Sequence, residues 1–460
     1  MNVRHAPELR GKRALVVGLA RSGVAAARFL AERGARVVAT DAKPLEQLGP
    51  DVAALQALGV ALELGGHRLQ TFVESDLVVV SPGVPWERPE LLAARQAGAD
   101  VLAELELGAR FAPGPIAAVT GTKGKSTTTA ALGAMLRAAG LDVRVGGNIG
   151  APLVGLLEGT TPETRFALEV SSFQLEGTRR FHPRVALFLN LSPDHLDRHP
   201  GVAAYAAAKA RVFENQGPGD WAVLNADDPQ VLELARSARA RQLRVSPRPG
   251  SEPCAFFEAA QARLRLEGRE ETLFELGAVR LPGAHLAFDL LCAGAAARLM
   301  GAPAEAVGRA VAAFDGVPHA LERVAEIGGV RFFNDSKATN VDAACRSLET
   351  FPGPLHVILG GRYKGGDFGL LGPLLPGRVR TLLAIGEARP LITQALSGQV
   401  EVLACASLRE AVERAWAAAR PGDTVLLAPA CSSFDMFRDY IERGESFKAE
   451  VGRLRERARG

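Results

Sequence analysis

Short runs of β-branched and aliphatic residues recur along the chain. Each ends in glycine or a polar residue, and most are followed by apolar positions at helical spacing. The stretch RALVVGLARSGVAAARFLAERGARVVATDA reads as a strand, a glycine turn, an amphipathic helix and a second strand ending at Asp41. SDLVVVSPGVP adds a buried strand with a turn at Ser81-Pro82-Gly83, and FAPGP (Phe111–Pro115) closes this first region. A second region runs through AAVTGTKGKST, TRFALEVSSFQLEG and PRVALFLNLSPDHLDRH. It continues into a polar, alternating stretch, Ser246 to Arg280, that predicts small antiparallel strands, and ends in the helical pattern AGAAARLMGAPAEAVGRAVAAF. A third region holds RFFNDSKATN, PLHVILGGRYKGGDF, RTLLAIGE and DTVLLAPACSSFDMF. Strands that are apolar throughout and alternate with helices predict an α/β fold with parallel sheets, whose ligands gather at the carboxyl ends of the strands.

The 460 residues suggest two to four domains at roughly 100–200 residues each. With 47% hydrophobic and 23% charged residues, the composition is that of a globular protein with an ample core. A net charge of +3, with no Lys/Arg block, gives no basis for a nucleic-acid partner. The N-terminal stretch has no apolar run of signal-peptide length before its first strand, and no run reaches the ~20 apolar residues of a membrane span. Five scattered cysteines without metal spacing fit reduced, mostly buried thiols in a cytosol.

GTKGKST (Gly121–Thr127) follows an apolar strand and opens a helix, as a phosphate loop does, although Val119 stands where the standard GxxxxGK[ST] pattern has its first glycine. Glycines let main-chain N–H groups converge on phosphate oxygens, and the helix N-terminus adds partial positive charge. Lys125 can then bridge β- and γ-phosphates and Ser126 can reach Mg2+. Glu169, Asp194 and His195 follow neighbouring apolar strands and could ligate the same metal; Glu169 alone reads equally as a strand-end surface acid. Lys209, among alanines in a helical pattern, reads by itself as a solvated charge. GLARSG (Gly18–Gly23), with Asp41 at the next strand's end, is either a diphosphate site or simple helix–strand packing. As an imperfect dinucleotide fingerprint it raises the alternative of an NAD-dependent oxidoreductase.

Taken together, GTKGKST, LEVSSFQLE, NLSPDHLDRH, AAAKARVF, NDSKATN and LGGRYKGGDF resemble the Mur ligases of bacterial cell-wall synthesis, in that family's order. GNIG, SPGVP and LLAPACSSFDMFRDYIERGESF extend the likeness over essentially the whole chain. The resemblance implies three domains: a Rossmann-like UDP-substrate domain (1–104), a central P-loop ATPase-like domain (105–316) and a Rossmann-like amino-acid domain (317–460). It further implies the D-glutamate-adding reaction of peptidoglycan precursor synthesis. ATP converts the carboxylate of UDP-N-acetylmuramoyl-L-alanine to an acyl phosphate, and the amine of D-glutamate displaces phosphate. The family's setting is a cytoplasmic monomer with no nucleic-acid or membrane partner.

Carried onto this chain, the resemblance assigns ATP to Gly121, Thr122, Lys123, Gly124, Lys125, Ser126 and Thr127. Two Mg2+ ions would be held by Ser126, Glu169, His195 and Lys209, the lysine as a carbamate, and Lys125, His195 and Lys209 would carry the catalysis. The UDP-substrate would meet Gly18, Leu19, Ala20, Asp41, Ser81, Gly83 and Asn148, and D-glutamate would meet Lys337, Thr339, Lys364, Ser433, Phe434 and Tyr440. Lys123 replaces the family's usual asparagine, Ala320 its arginine, and Leu286 and Asp289 the two asparagines of an adenine-side motif; Ala42 and Lys43 leave the uracil contacts only partly matched. Related ligases that add meso-diaminopimelate or lysine, and folylpolyglutamate synthase, are the alternatives within the class; the Asp-Asn-Pro-Arg stretch of the diaminopimelate-adding enzymes does not occur. An oxidoreductase would leave GTKGKST unexplained.

Overall fold

The computed structural model describes residues 8–195 and 198–458. The first seven residues, part of the N-terminal stretch read above for a leader, lie outside the described residues, as do Leu196 and Asp197 of NLSPDHLDRH and the last two residues.

Three sheets form among the described residues. The first is wholly parallel, in the order β3-β2-β1-β4-β5, from β1 (Arg13–Val17), β2 (Arg36–Asp41), β3 (Ala61–Leu64), β4 (Leu77–Val80) and β5 (Asp100–Ala103). The order reverses direction at β1, so a crevice opens beyond the carboxyl ends of β1 and β4, the usual place for a ligand. Helix Arg21–Glu32 buries Ala26, Ala27, Phe29 and Leu30 and leaves Arg21 and Arg28 outward. Its close approach to β1 depends on Gly23, since a Cβ there would overlap the Gly18 carbonyl.

The second sheet has nine strands in the order β14-β13-β12-β11-β10-β9-β6-β8-β7. Its parallel part comprises β6 (Ile116–Thr120), β7 (Val143–Gly147), β8 (Arg165–Glu169), β9 (Val185–Phe188), β10 (Trp221–Asn225) and β11 (Arg241–Val245). The polar, alternating stretch forms β12 (Cys254–Glu258), β13 (Gln261–Leu266) and β14 (Arg269–Glu275), antiparallel to one another as their pattern predicts. A continuous apolar cluster joins the first two sheets, from Val16 and Leu30 through Leu105 and Leu153 to Phe166 and Phe188. AGAAARL ends helix Ala284–Leu299, and a second helix, Ala304–Ala313, follows Pro303.

The third sheet runs β15-β16-β20-β17-β18-β19, from β15 (Glu322–Ile327), β16 (Val330–Asn334), β17 (Leu355–Gly360), β18 (Val379–Ile385), β19 (Glu401–Ala404) and β20 (Thr424–Leu427). Only β15 is antiparallel to its neighbour. Apolar clusters cover both faces, one around Phe333, Leu348 and Leu382, the other around Phe332, Leu383 and Phe447. By packing, the chain divides into two compact units: the first two sheets with Phe288–Ala312, and Val279–Ala287 with everything from Ala313 on. Among the described residues no helix is long and apolar enough to cross a membrane. Cys254, Cys292, Cys405 and Cys431 are buried, and all five thiols are free.

Candidate active site

The loop after β6 is held from three sides. Val119, in place of the pattern's first glycine, is a buried strand residue in register with Glu169 of β8 and Leu187 of β9. Gly124, at φ +80°, turns the chain into helix Lys125–Ala138. The Asn190 side chain, at the end of β9, accepts from the main-chain N–H groups of Thr122 (3.2 Å) and Lys123 (2.8 Å) and donates to the Lys123 carbonyl (3.1 Å). Thr122 Oγ1 meets Tyr205 Oη at 3.1 Å and accepts from the Ser192 N–H at 3.0 Å. An amide held by both its oxygen and its nitrogen fixes the loop's path against the sheet.

Lys125 Nζ donates to the Thr122 carbonyl at 2.7 Å, so the ammonium lies folded over its own loop. Ser126 Oγ donates to Glu169 Oε2 at 2.7 Å, and Asn148 Nδ2 donates to Glu169 Oε1 at 2.6 Å. Glu169 is 2% exposed, so strand β8 delivers a buried carboxylate to the loop and not a surface acid.

Lys209 overturns the reading from the residues alone. It is buried, 2% exposed, with Nζ donating to the Gly121 carbonyl at 2.8 Å and the Tyr205 ring 4.9 Å away. Burial, aided by the positive charge of Lys125, brings its pKa down from 10.5 to about 7. The alanines around it explain the change: a helix face this small packs closely and carries its two long side chains, Tyr205 and Lys209 one turn apart, inward.

His195 has a left-handed backbone (φ +53°) and is half-exposed; Asp194 lies 3.7 Å from its ring, and the Phe173 ring is centred 5.0 Å away. Phe173 also stacks on the buried His199, whose Nε2 is 3.0 Å from Ser172 Oγ. Asp289 packs directly on the loop: a Cβ built on Gly124 would lie 2.9 Å from both Asp289 Cγ and Oδ2. Burial raises the pKa of Asp289 well above the usual carboxylate range.

The first-sheet candidates gather at the carboxyl ends of three adjacent strands. Asp41 Oδ2 accepts from Leu19 N at 2.7 Å, its Oδ1 from Lys43 N at 2.9 Å, and Ser81 Oγ donates to the Gly18 carbonyl at 2.7 Å. Asp41 and Ser81 thus brace the glycine turn from both sides. Ala20 and Gly83 are exposed beside it.

In the second unit the candidates follow β16, β17 and β20, which are neighbours in the sheet. Lys337 N donates to the His319 carbonyl and Thr339 N to the Lys337 carbonyl, both at 2.9 Å. Lys364 Nζ lies 5.4 Å from the exposed Phe434 ring, and Ser433 is buried. Tyr440 opens the last helix, Tyr440–Arg457, and its carbonyl accepts from Ser336 Oγ at 2.8 Å. The sequence reading missed Arg443, whose fully buried guanidinium donates to Ser336 Oγ (2.9 Å) and to the Ser336 and Cys431 carbonyls, tying together the loops that carry these candidates. Arg323 pairs with Glu326 at 3.0 Å and with Asp315 at 3.9 Å.

Comparison with known proteins covers nearly the whole chain. Residues 12–103 match the profile of the Mur ligase MurD-like N-terminal domain, 119–297 that of the Mur ligase middle domain, and 321–431 that of the Mur ligase glutamate ligase domain. The chain is 48% identical over 443 residues to a UDP-N-acetylmuramoylalanine–D-glutamate ligase of Acidobacterium capsulatum, covering 96% of each chain. It is 44% identical to the enzyme of the same name in Geotalea daltonii, covering 97% of this chain and 98% of that one. Among solved structures, UDP-N-acetylmuramate-alanine ligase MurC of Thermotoga maritima shares the fold at TM-score 0.58 and 19% identity, over 97% of this chain and all of that one. MurF ligase of Thermotoga maritima, solved in complex with ADP, does so at TM-score 0.55 and 17% identity, over 91% and 96%.

Proposed function

The chain belongs to the Mur ligase family, and from that premise we propose that it is the ATP-dependent ligase joining D-glutamate to UDP-N-acetylmuramoyl-L-alanine. The observation that carries the reading is the buried Lys209 amine against Gly121 of a phosphate loop whose Ser126 is bonded to Glu169. A carboxylate has no good leaving group, so amide formation requires its activation by a phosphoryl group. Two anions must meet for that, and dense positive charge must offset their repulsion. Lys125 swings from the Thr122 carbonyl onto the terminal phosphate, while the loop's N–H groups hold the rest of the triphosphate. In the second unit, Lys337 and Lys364 supply charge-assisted hydrogen bonds for a dicarboxylate amino acid, with Thr339, Ser433, Phe434 and Tyr440 around it. Gly18, Leu19, Ala20, Asp41, Ser81, Gly83 and Asn148 face the uridine diphosphate part. The division into domains at 1–104, 105–316 and 317–460, a monomeric state and a cytoplasmic setting are parts of the same proposal.

Mg2+ fits the residues present. Magnesium sites in nucleotide enzymes use one or two protein oxygens together with substrate phosphates and water. Ser126 and Glu169, 2.7 Å apart, offer such a pair, with His195 and a carbamate of Lys209 for a second ion. The carbamate also fits: a buried lysine with a pKa near 7 presents a neutral amine to CO2 at neutral pH. Bound Mg2+ supplies neutralisation of phosphate charge as the phosphoryl group moves.

The test is phosphate release from ATP with the UDP-linked acceptor and a panel of amino acids. We expect turnover only with acceptor and D-glutamate together. Equal turnover with L-lysine or meso-diaminopimelate rejects the substrate assignment.

A further inference from the structure

Arg21 is the first residue of helix Arg21–Glu32, at the glycine turn of the first sheet. The one hydrogen bond of its side chain among the described residues crosses to the second sheet, where Nη2 donates to the Asn148 carbonyl at 3.4 Å; no acid pairs with it there. From Asn148 the path continues without a gap. Asn148 N donates to the Glu169 carbonyl at 2.9 Å and Asn148 Nδ2 to Glu169 Oε1 at 2.6 Å, while the other carboxylate oxygen accepts from Ser126 at 2.7 Å. A cleft of about 990 Å³ opens beside this line, walled by Leu19, Ala20 and Arg21 on one side and by Pro152, Val154 and Gly155 on the other.

We infer that Arg21 is a positioning residue that couples the glycine turn to the phosphate loop, so that a diphosphate seated at the turn orders the Asn148–Glu169–Ser126 chain that serves ATP. This rests on the turn being the place of the UDP-linked acceptor. A guanidinium has five N–H donors in a rigid fork, so it can hold a carbonyl with one edge and an anion with another. An unliganded Arg21 is exposed, and its hold on Asn148 is that of one long hydrogen bond. An anion on the free edge fixes the rotamer and with it the Asn148 main chain, whose side chain aims Glu169. Lysine keeps the charge but has no fork to bridge the two partners.

The experiment is calorimetric titration of a non-hydrolysable ATP analogue, with and without saturating UDP-N-acetylmuramoyl-L-alanine, into the wild type, Arg21→Ala and Arg21→Lys. In the wild type the acceptor should tighten the analogue about tenfold, which corresponds to ~1.4 kcal/mol. In both variants that gain should fall below about twofold, with affinity for the analogue alone unchanged. Because Arg21 is exposed and buries no core, melting temperatures should match. A wild-type coupling factor retained in Arg21→Ala overturns the inference, as does a wild type that binds the acceptor without tightening the analogue. A wild type that does not bind the acceptor at all overturns the substrate reading as well.

Discussion

Replacing Gly124 with alanine tests whether the phosphate loop is braced from below by Asp289. Two costs add. Gly124 sits at φ +80°, where an L side chain costs roughly 1–2 kcal/mol. The new Cβ would also lie 2.9 Å from Asp289 Cγ and Oδ2 and closer still to Oδ1, and Asp289 is only 7% exposed, so it has little room to swing aside. Overpacking of this kind costs about 1–3 kcal/mol, which brings the total to roughly 2–5 kcal/mol. A loop displaced by about 1 Å should also lose about a hundredfold in kcat/KM for ATP. Asp289→Ala removes the obstruction but not the backbone strain. A double-mutant cycle by urea denaturation should therefore show a favourable coupling of about 1–3 kcal/mol between the two substitutions, leaving about 1–2 kcal/mol unrecovered. A Gly124→Ala cost below about 0.5 kcal/mol, or additive behaviour of the pair, refutes a brace by Asp289.

Lys209 should make stability depend on pH. Its folded pKa, about 7, lies below the ordinary 10.5, so between those values the unfolded chain binds the extra proton and stability rises with pH, at most by ~1.4 kcal/mol per unit. In CO2-free buffer, Lys209→Met should therefore melt above the wild type by more at pH 6.5 than at pH 9.5; an equal gap at both contradicts a neutral buried amine. Lys209→Ala should lose most activity and regain part of it in acetate or formate, and unaffected activity removes the carbamate role. Asn190→Ala removes the side-chain bonds to the Lys123 N–H and carbonyl and one of the two held by the Thr122 N–H, which keeps its 3.0 Å bond to the main-chain carbonyl of residue 190, and should raise KM for ATP at least tenfold with a melting temperature lowered by a few degrees. An unchanged KM would show that the loop holds its own shape.

Much of this architecture can be read along the chain, because strands buried on both faces leave unbroken apolar runs and glycine turns mark their ends. The phosphate loop was legible for the same reason: strand, glycines and helix are all local. Lys209 was not, since burial of a helix lysine depends on which face of an alanine-rich helix meets the sheet, and small residues on every side leave that undecided. Only the resemblance pointed to a role for it. Asn190 stood inside a recognisable motif without an evident purpose, because its partners lie 67 and 68 positions away. Arg443 gave no signal either: an arginine in the polar sequence YIERGESF looks solvated, yet the Ser336 and Cys431 carbonyls hold it inside. Asp41 and Ser81 were placed correctly at strand ends, but their grip on the turn's own backbone is a matter of distances no spacing reveals.

Val119 shows that such a loop can be built without the signature's first glycine. With its side chain buried in β6 and the loop clasped by the Asn190 amide from beyond the neighbouring strand, the loop borrows its stiffness from the sheet and relies less on flexible residues of its own. A search keyed on that glycine would pass over this chain, whereas one keyed on a strand-end asparagine reaching back to the loop would find it.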